Sequence, residues 1–238
     1  GYLLHPDVGL ALVLEHGCDK VNNDTIREAL EQAGGDPARY GWASLQLDGG
    51  IDKARDRIES WAETELRTKR ERGTVAVPVV GVMGGATPAA AEAAALGEWV
   101  SMVAGTVAVL LPADDPVLEA PPFRSASGLP ESNGRKPGLA YAERPGGPGV
   151  FLVEPATRQR VEILTGLGAA GARVILECRE GDGAGVRADH PFIPVVPVLP
   201  GDRAASICER VMAAMAGGRQ PARRSDFQIS RGLLGVST

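Results

Sequence analysis

The chain has 238 residues, 44% of them hydrophobic, and carries a formal net charge of −5. That is enough apolar material for one large domain or two closely associated lobes, and its mild acidity argues against nucleic acid or an anionic membrane surface as the main partner. No apolar run approaches the roughly 18–20 residues of a membrane span, no signal peptide leads the chain, and the first residue is Gly rather than Met, as expected of a fragment or processed chain.

"VGLALVLEHG" (8–17) is a continuous apolar run ending in Gly, which predicts a strand buried on both faces. "TIREALEQAG" (25–34) predicts a helix, with Thr25 and Glu28 at the spacing of a capping box. "GWASLQLDGG" (41–50) reads as a second strand and 51–73 as a long amphipathic helix, its buried stripe running through Ile51, Ala54, Ile58, Trp61, Ala62 and Leu66. A third strand over 74–85 leads into a helix over 87–105 with Thr87 as N-cap and Pro88 at the first helical position. A fourth strand follows over 106–114. Residues 115–150 are rich in Pro, Gly and Ser and read as a lobe boundary or a lid. Regularity returns with a helix over 158–171, a strand over 172–181, an extended segment over 193–201 and a terminal helix over 203–218. The fold class expected is therefore α/β, a mostly parallel, Rossmann-like sheet with helices on both faces. Its expected organisation is a first lobe over 1–114, the connection over 115–150, a second portion over 151–218 and a tail over 219–238.

Ligands of open parallel sheets bind beyond the carboxyl ends of the strands, and three polar clusters fall there. The first is Glu15-His16-Gly17-Cys18-Asp19-Lys20, the second Gln46 and Asp48 before Gly49-Gly50, the third Met83-Gly84-Gly85-Ala86-Thr87 entering a helix. A turn needs a Gly and a cap. The first cluster adds a base, a soft sulfur ligand, a cation and oxygen ligands. Free N–H groups after Gly84-Gly85 would attract a carboxylate. No G-x-G-x-x-G opens a helix, so no nucleotide is expected. His190 precedes a proline and reads as an extended loop histidine. Cys178 and Cys208 read as core residues, and the widely spaced cysteines suit a reducing cytoplasm. A Cys18 nucleophile with His16 as base is the weaker reading, because side chains two apart on an extended turn need not face each other.

These residues carry a family likeness. "HPDVGLALVLEHGCDK" resembles the segment of the altronate/galactarate dehydratase family that reads His-Pro-Asn-Val, an apolar strand, then Gly-Cys-Glu-Lys. "VEILTGLGAAGARVILECREG" followed by "HPFIPVVPV" is similar to that family's later helix–strand unit and Pro-rich strand, and "MGG" and "VAGTVAVLLPAD" fall in the family's order. The likeness spans nearly the whole chain, as the family's large C-terminal region without its short N-terminal domain. It departs at Ala86-Thr87, where the family often has Ser-Asp, and after Glu177, as expected of a divergent subgroup.

The resemblance implies a hydro-lyase that removes water from a sugar acid with a divalent metal, Fe2+ before Mn2+, Mg2+ or Zn2+. By position Cys18 matches the family cysteine, Lys20 the residue after its acidic neighbour, Gly84 and Gly85 the Gly-Gly turn and Thr165 the Leu-Thr-Gly helix. On this reading His16, Lys20 and His190 are the expected catalytic residues. Gln46, Asp48, Gly84, Gly85, Thr87 and Thr165 would bind substrate, and Cys18, Glu15 and Asp19 would hold metal. The expected partners are an anionic hydroxy-acid, an N-terminal domain or small subunit, and further copies of the chain, with neither nucleic acid nor membrane. The rival expectation is a non-catalytic subunit or carboxylate-binding domain that keeps the fold.

Overall fold

The computed structural model describes residues 1–18, 20–68, 77–84, 88–129, 138–154, 159–178, 190 and 192–216. The chain divides into two compact units, Leu3–Thr74 and Gly1–Tyr2 with Val75–Thr238. The division therefore falls near residue 74 and not within 115–150. The strands on either side of that segment share one sheet, so it is interior to a unit, not a boundary.

The Leu3–Thr74 unit is a β–α–β–α arrangement. Strand β1 (Leu12–Glu15) pairs in parallel with β2 (Gly41–Ser44). Helix α1 (Asn23–Gln32) connects them and α2 (Ile51–Arg67) follows. The cap of α1 differs from the expected box: Asn22 is the N-cap, and its side chain accepts from the Thr25 N–H at 2.9 Å. Asparagine reaches that donor without the χ1 restriction of threonine, and the helix begins two residues earlier than predicted. The apolar stripe of α2 holds at Ala54, Ile58, Trp61 and Ala62. Ile51 (72% exposed) and Leu66 (76%) fall off it, because an unsupercoiled helix drifts away from a fixed contact line toward its ends.

The Val75–Thr238 unit is built on a five-stranded parallel sheet ordered β5-β4-β3-β6-β7. Its strands are β3 (Val79–Met83), β4 (Ala108–Pro112), β5 (Gly149–Val153), β6 (Val174–Cys178) and β7 (Val195–Val198). The chain winds outward from β3 through β4 to β5, then crosses to β6 and β7, so the connections reverse direction beside β3. The apolar runs of β3, β4 and β6 are buried on both faces, as a sheet covered by helices on each side requires. Helices α3 (Ala90–Val103), α4 (Pro121–Ser127) and α6 (Ala204–Ala216) cover one face, packing on Val80, Val82, Val109, Leu111, Val174 and Leu176. Helix α5 (Arg160–Ala169) covers the other, against Val79, Met83, Ala108, Leu110 and Ile175. The expected α/β class, a mostly parallel sheet with helices on both faces, is what forms.

Two elements in this unit were not expected. Segment 115–150 contains α4, started by Pro121 and Pro122, and ends at edge strand β5. A five-residue apolar run bounded by prolines and glycines carries too little periodicity to announce itself. Thr87, expected as N-cap, lies outside the described residues, and Ala89 caps α3 with no side-chain hydrogen bond. Among the described residues no helix is long and apolar enough to cross a membrane.

Candidate functional site

In the Leu3–Thr74 unit the first polar cluster sits where β1 ends. Gly17 makes the turn with φ +111°, and a Cβ there would lie 2.8 Å from Gln46 Cβ, so conformation and space both require glycine. That turn folds His16 back over Cys18. Nδ1 of His16 lies 3.2 Å from Cys18 Sγ, and the Gln46 amide nitrogen is 3.5 Å from the same Nδ1. The two side chains, which on an extended turn need not face each other, thus do so. Cys18 is exposed, as is Lys20.

Glu15 has a different task from the metal ligation expected of it. Its side chain is buried and Oε2 accepts the N–H of Asn23 at 2.5 Å, neutralising an orphan donor at the start of α1. Asn23 in turn donates from Nδ2 to the Ala43 carbonyl at 3.0 Å, tying α1 to β2. Glu15 is a structural anchor. Asp19, the other expected oxygen ligand, lies outside the described residues.

The end of β2 adds a second set of groups. Asp48 Oδ2 accepts the Ser44 N–H at 2.8 Å and Oδ1 accepts from Arg57 at 2.6 Å. The Ser44 N–H first, and the Arg57 charge with it, hold the Asp48 carboxyl below the usual carboxylate range. Asp48 therefore positions Arg57. Arg27 lies over the Trp42 ring at 4.6 Å and pairs with Asp24 at 2.7 Å. Glu15, Gly17, Asn22, Arg27, Asp48 and Arg57 are among the residues lining a cleft of about 210 Å³ beyond the ends of the two strands. The guanidiniums of Arg27 and Arg57 were missed in the sequence because each reads there as an ordinary charge on an exposed helix face.

The remaining expected residues belong to the Val75–Thr238 unit. Gly84 does not offer its N–H to a substrate: it donates to Asp115 Oδ2 at 2.7 Å, and a Cβ at Gly84 would overlap Asp115 Oδ1. Oδ1 of Asp115 also accepts the Val117 N–H at 2.9 Å. Burial raises the Asp115 carboxyl to about 6 against the pull of these two donors. Gly85 lies outside the described residues. Thr165 is buried in α5, where Oγ1 donates to the Val161 carbonyl at 2.7 Å, a helix-internal bond that replaces the expected substrate contact.

His190 is a core residue, not an exposed loop histidine or a base. Nδ1 accepts from the N–H groups of Phe192 (3.3 Å) and Ile193 (3.1 Å). Nε2 lies 2.9 Å from the Tyr2 hydroxyl, which donates to the Thr165 carbonyl at 2.8 Å. The tautomer consistent with all four contacts is neutral, with the proton on Nε2 donating to Tyr2. Both ring nitrogens are engaged in holding the fold.

Strand β6 ends in two buried groups whose alternation sends them to opposite faces. Glu177 points to the α5 side and receives Arg160, Nε to Oε1 at 2.7 Å and a terminal nitrogen to Oε2 at 3.3 Å. Cys178 packs in the α3 side of the core, and burial first, then the carboxylates Asp115, Glu92 and Glu177, push its thiol up to about 12. It stays protonated, as its expected core role requires.

For a divalent metal the donor chemistry at the β1 turn fits in kind: an imidazole nitrogen and a sulfur 3.2 Å apart suit iron or zinc better than magnesium. Among the described residues no group of three or more His, Cys, Asp or Glu side chains is placed to hold a metal ion. His16 Nδ1 and Cys18 Sγ are a neighbouring pair of ligand-type atoms in the described part of the chain. No protein-family model matches the chain, and no curated protein matches it either.

Proposed function

We propose that the chain is a metal-assisted hydro-lyase that dehydrates a sugar acid or related hydroxy-carboxylate, as the likeness of its motifs to the altronate/galactarate dehydratases implies. The observation that carries this reading is the His16–Cys18 contact at the carboxyl end of β1, beside a cleft that also presents Arg27 and Arg57. In this reading the two guanidiniums take the substrate carboxylate, for which their planar donors are suited. His16, oriented by Cys18 and Gln46, removes the α-proton, and the β-hydroxyl leaves as water with a proton from the Lys20 ammonium. A divalent metal held at Cys18 would supply Lewis-acid polarisation of the carboxylate and hydroxyl oxygens. Three free cysteines favour a cytoplasmic setting for this chemistry.

A second reading, a carboxylate-binding domain without chemistry, is favoured by Glu15, whose carboxylate is engaged by the Asn23 N–H within the protein. Turnover assays across a panel of sugar acids, anaerobic and with added ferrous iron, separate the two. The hydro-lyase reading expects dehydration that falls about 10²–10⁴-fold in Lys20→Met, the range for a lost general acid or base. Tight binding of a sugar acid with no turnover under any metal would overturn it and leave the binding domain.

A further inference from the structure

Helix α1 lends the cleft two residues one turn apart, Asn23 and Arg27. Side chains four positions apart are neighbours on one helix face, with Cβ atoms about 5–6 Å from each other. Asn23 is only 7% exposed, and its amide cannot turn over. Nδ2 donates to the Ala43 carbonyl, which can only accept, so the orientation of the amide is fixed. Oδ1 is left buried with no hydrogen-bond partner. Among the described residues it is the one side-chain nitrogen or oxygen of the cleft lining in that state.

The acceptors around it are served already. Asn22 Oδ1 takes the N–H and the hydroxyl of Thr25, both Asp48 oxygens are engaged, and Asp24 is exposed to water. A buried amide oxygen without a donor costs free energy that an incoming donor recovers. The ligand atom that meets Asn23 therefore gains by carrying a proton. Arg27 and Arg57 each use Nη1 on a carboxylate of the protein, which leaves Nε and Nη2 of both guanidiniums as donors for an anion.

We propose that Asn23 Oδ1 accepts a hydrogen bond from a hydroxyl on the carbon next to the ligand's carboxylate, so that the cleft selects 2-hydroxy acids. The spacing of Asn23 and Arg27 sets the position of that hydroxyl. A ligand whose carboxylate meets Arg27 reaches Oδ1 with a donor one or two bonds from the carboxylate. The inference rests on the reading above that this cleft takes a carboxylate, and it adds the residue that reads the neighbouring carbon. In the proposed dehydration the α-proton and the β-hydroxyl leave; the hydroxyl on Asn23 is the one that stays.

Titration calorimetry on the full chain with racemic 2-hydroxybutanoate and racemic 2-fluorobutanoate tests the assignment. Neither acid has a β-hydroxyl, so binding is read without the proposed turnover. Fluorine is close to a hydroxyl in size and has no proton to donate. A chelator in the buffer ensures that a hydroxyl–metal contact does not supply the difference. The parent is expected to bind the hydroxy acid at least about tenfold more tightly than the fluoro acid, as an unpaired buried acceptor requires. Asn23→Leu should bring the two affinities within about twofold while the fluoro acid binds as before. Arg27→Met and Arg57→Met should weaken both acids and leave their ratio unchanged. Because Asn23→Leu also loses the bond to Ala43, a variant that fails to fold leaves the parent's ratio to decide, together with the Asn23 side-chain amide resonance. That resonance should shift with the hydroxy acid and not with the fluoro acid. Equal affinities in the parent, a ratio kept in folded Asn23→Leu, or an unmoved Asn23 resonance would each overturn this role while the carboxylate reading stands. Binding of neither acid by the parent would overturn the carboxylate reading, and this inference with it.

Discussion

Cys18 and His16 meet because a single glycine between them adopts a left-handed conformation that the packing of Gln46 also demands. The residue types were legible in "EHGCDK"; their contact was not, since spacing alone does not give φ at Gly17. Glu15 shows the converse. Its chemistry suited a ligand, but the orphan N–H of Asn23 lies within 2.5 Å and takes the carboxylate first. The consequence is testable at one side chain. Cys18 is exposed, so Cys18→Ser should change unfolding free energy by less than about 0.5 kcal/mol. Bound transition metal, measured on protein purified without chelator, should fall at least about tenfold. Metal content equal to the parent would remove Cys18 from the ligand set.

Helix ends and strand ends decide more than residue identity does. Residue Asn22, not Thr25, satisfies the start of α1, so Asn22→Ala should cost about 1 kcal/mol in urea unfolding. Equal losses from Thr25→Val and Asn22→Ala would argue against that division of roles. At the other end of the chain, β6 and α5 are joined by the Arg160–Glu177 pair, with Glu177 fully buried. Removing the cation while keeping the stem, as Arg160→Met, leaves a buried carboxylate without its bidentate partner. The expected loss is about 3–5 kcal/mol, reduced somewhat because Arg160 is partly exposed. A loss below about 1 kcal/mol would mean the pair is replaced by water. Neither partner stands out in the sequence. Their meeting depends on which face of β6 residue 177 occupies, and on α5 starting directly over it.

Across the Val75–Thr238 unit, Asp115 joins the end of β3 to the turn after β4 through Gly84 and Val117. Its carboxyl, raised to about 6 from an ordinary value near 3.8, binds a proton more tightly folded than unfolded. Its contribution is therefore fully present below about pH 4 and lost as pH rises through about 6. The swing is about 3 kcal/mol at 1.36 kcal/mol per pH unit. Unfolding free energies of the parent and Asp115→Asn, compared from pH 4 to pH 7.5, should show the variant gaining on the parent by that order. A pH-independent difference would mean that Asp115 is ionised throughout.

The sequence by itself determined the class of this protein. Continuous apolar runs alternating with helical periods permit little but a parallel sheet covered on both sides, and that follows from local chemistry summed over many residues. It also placed polar clusters at the strand ends where open sheets bind ligands. Only the tertiary structure decided where the units divide, that β5 completes the sheet, and that His190, Thr165, Glu15 and the Gly84 N–H serve the fold. Each of those outcomes turns on which partner lies within about 3 Å. Such neighbours are distant in sequence, and the register and face that bring them together carry no local signature.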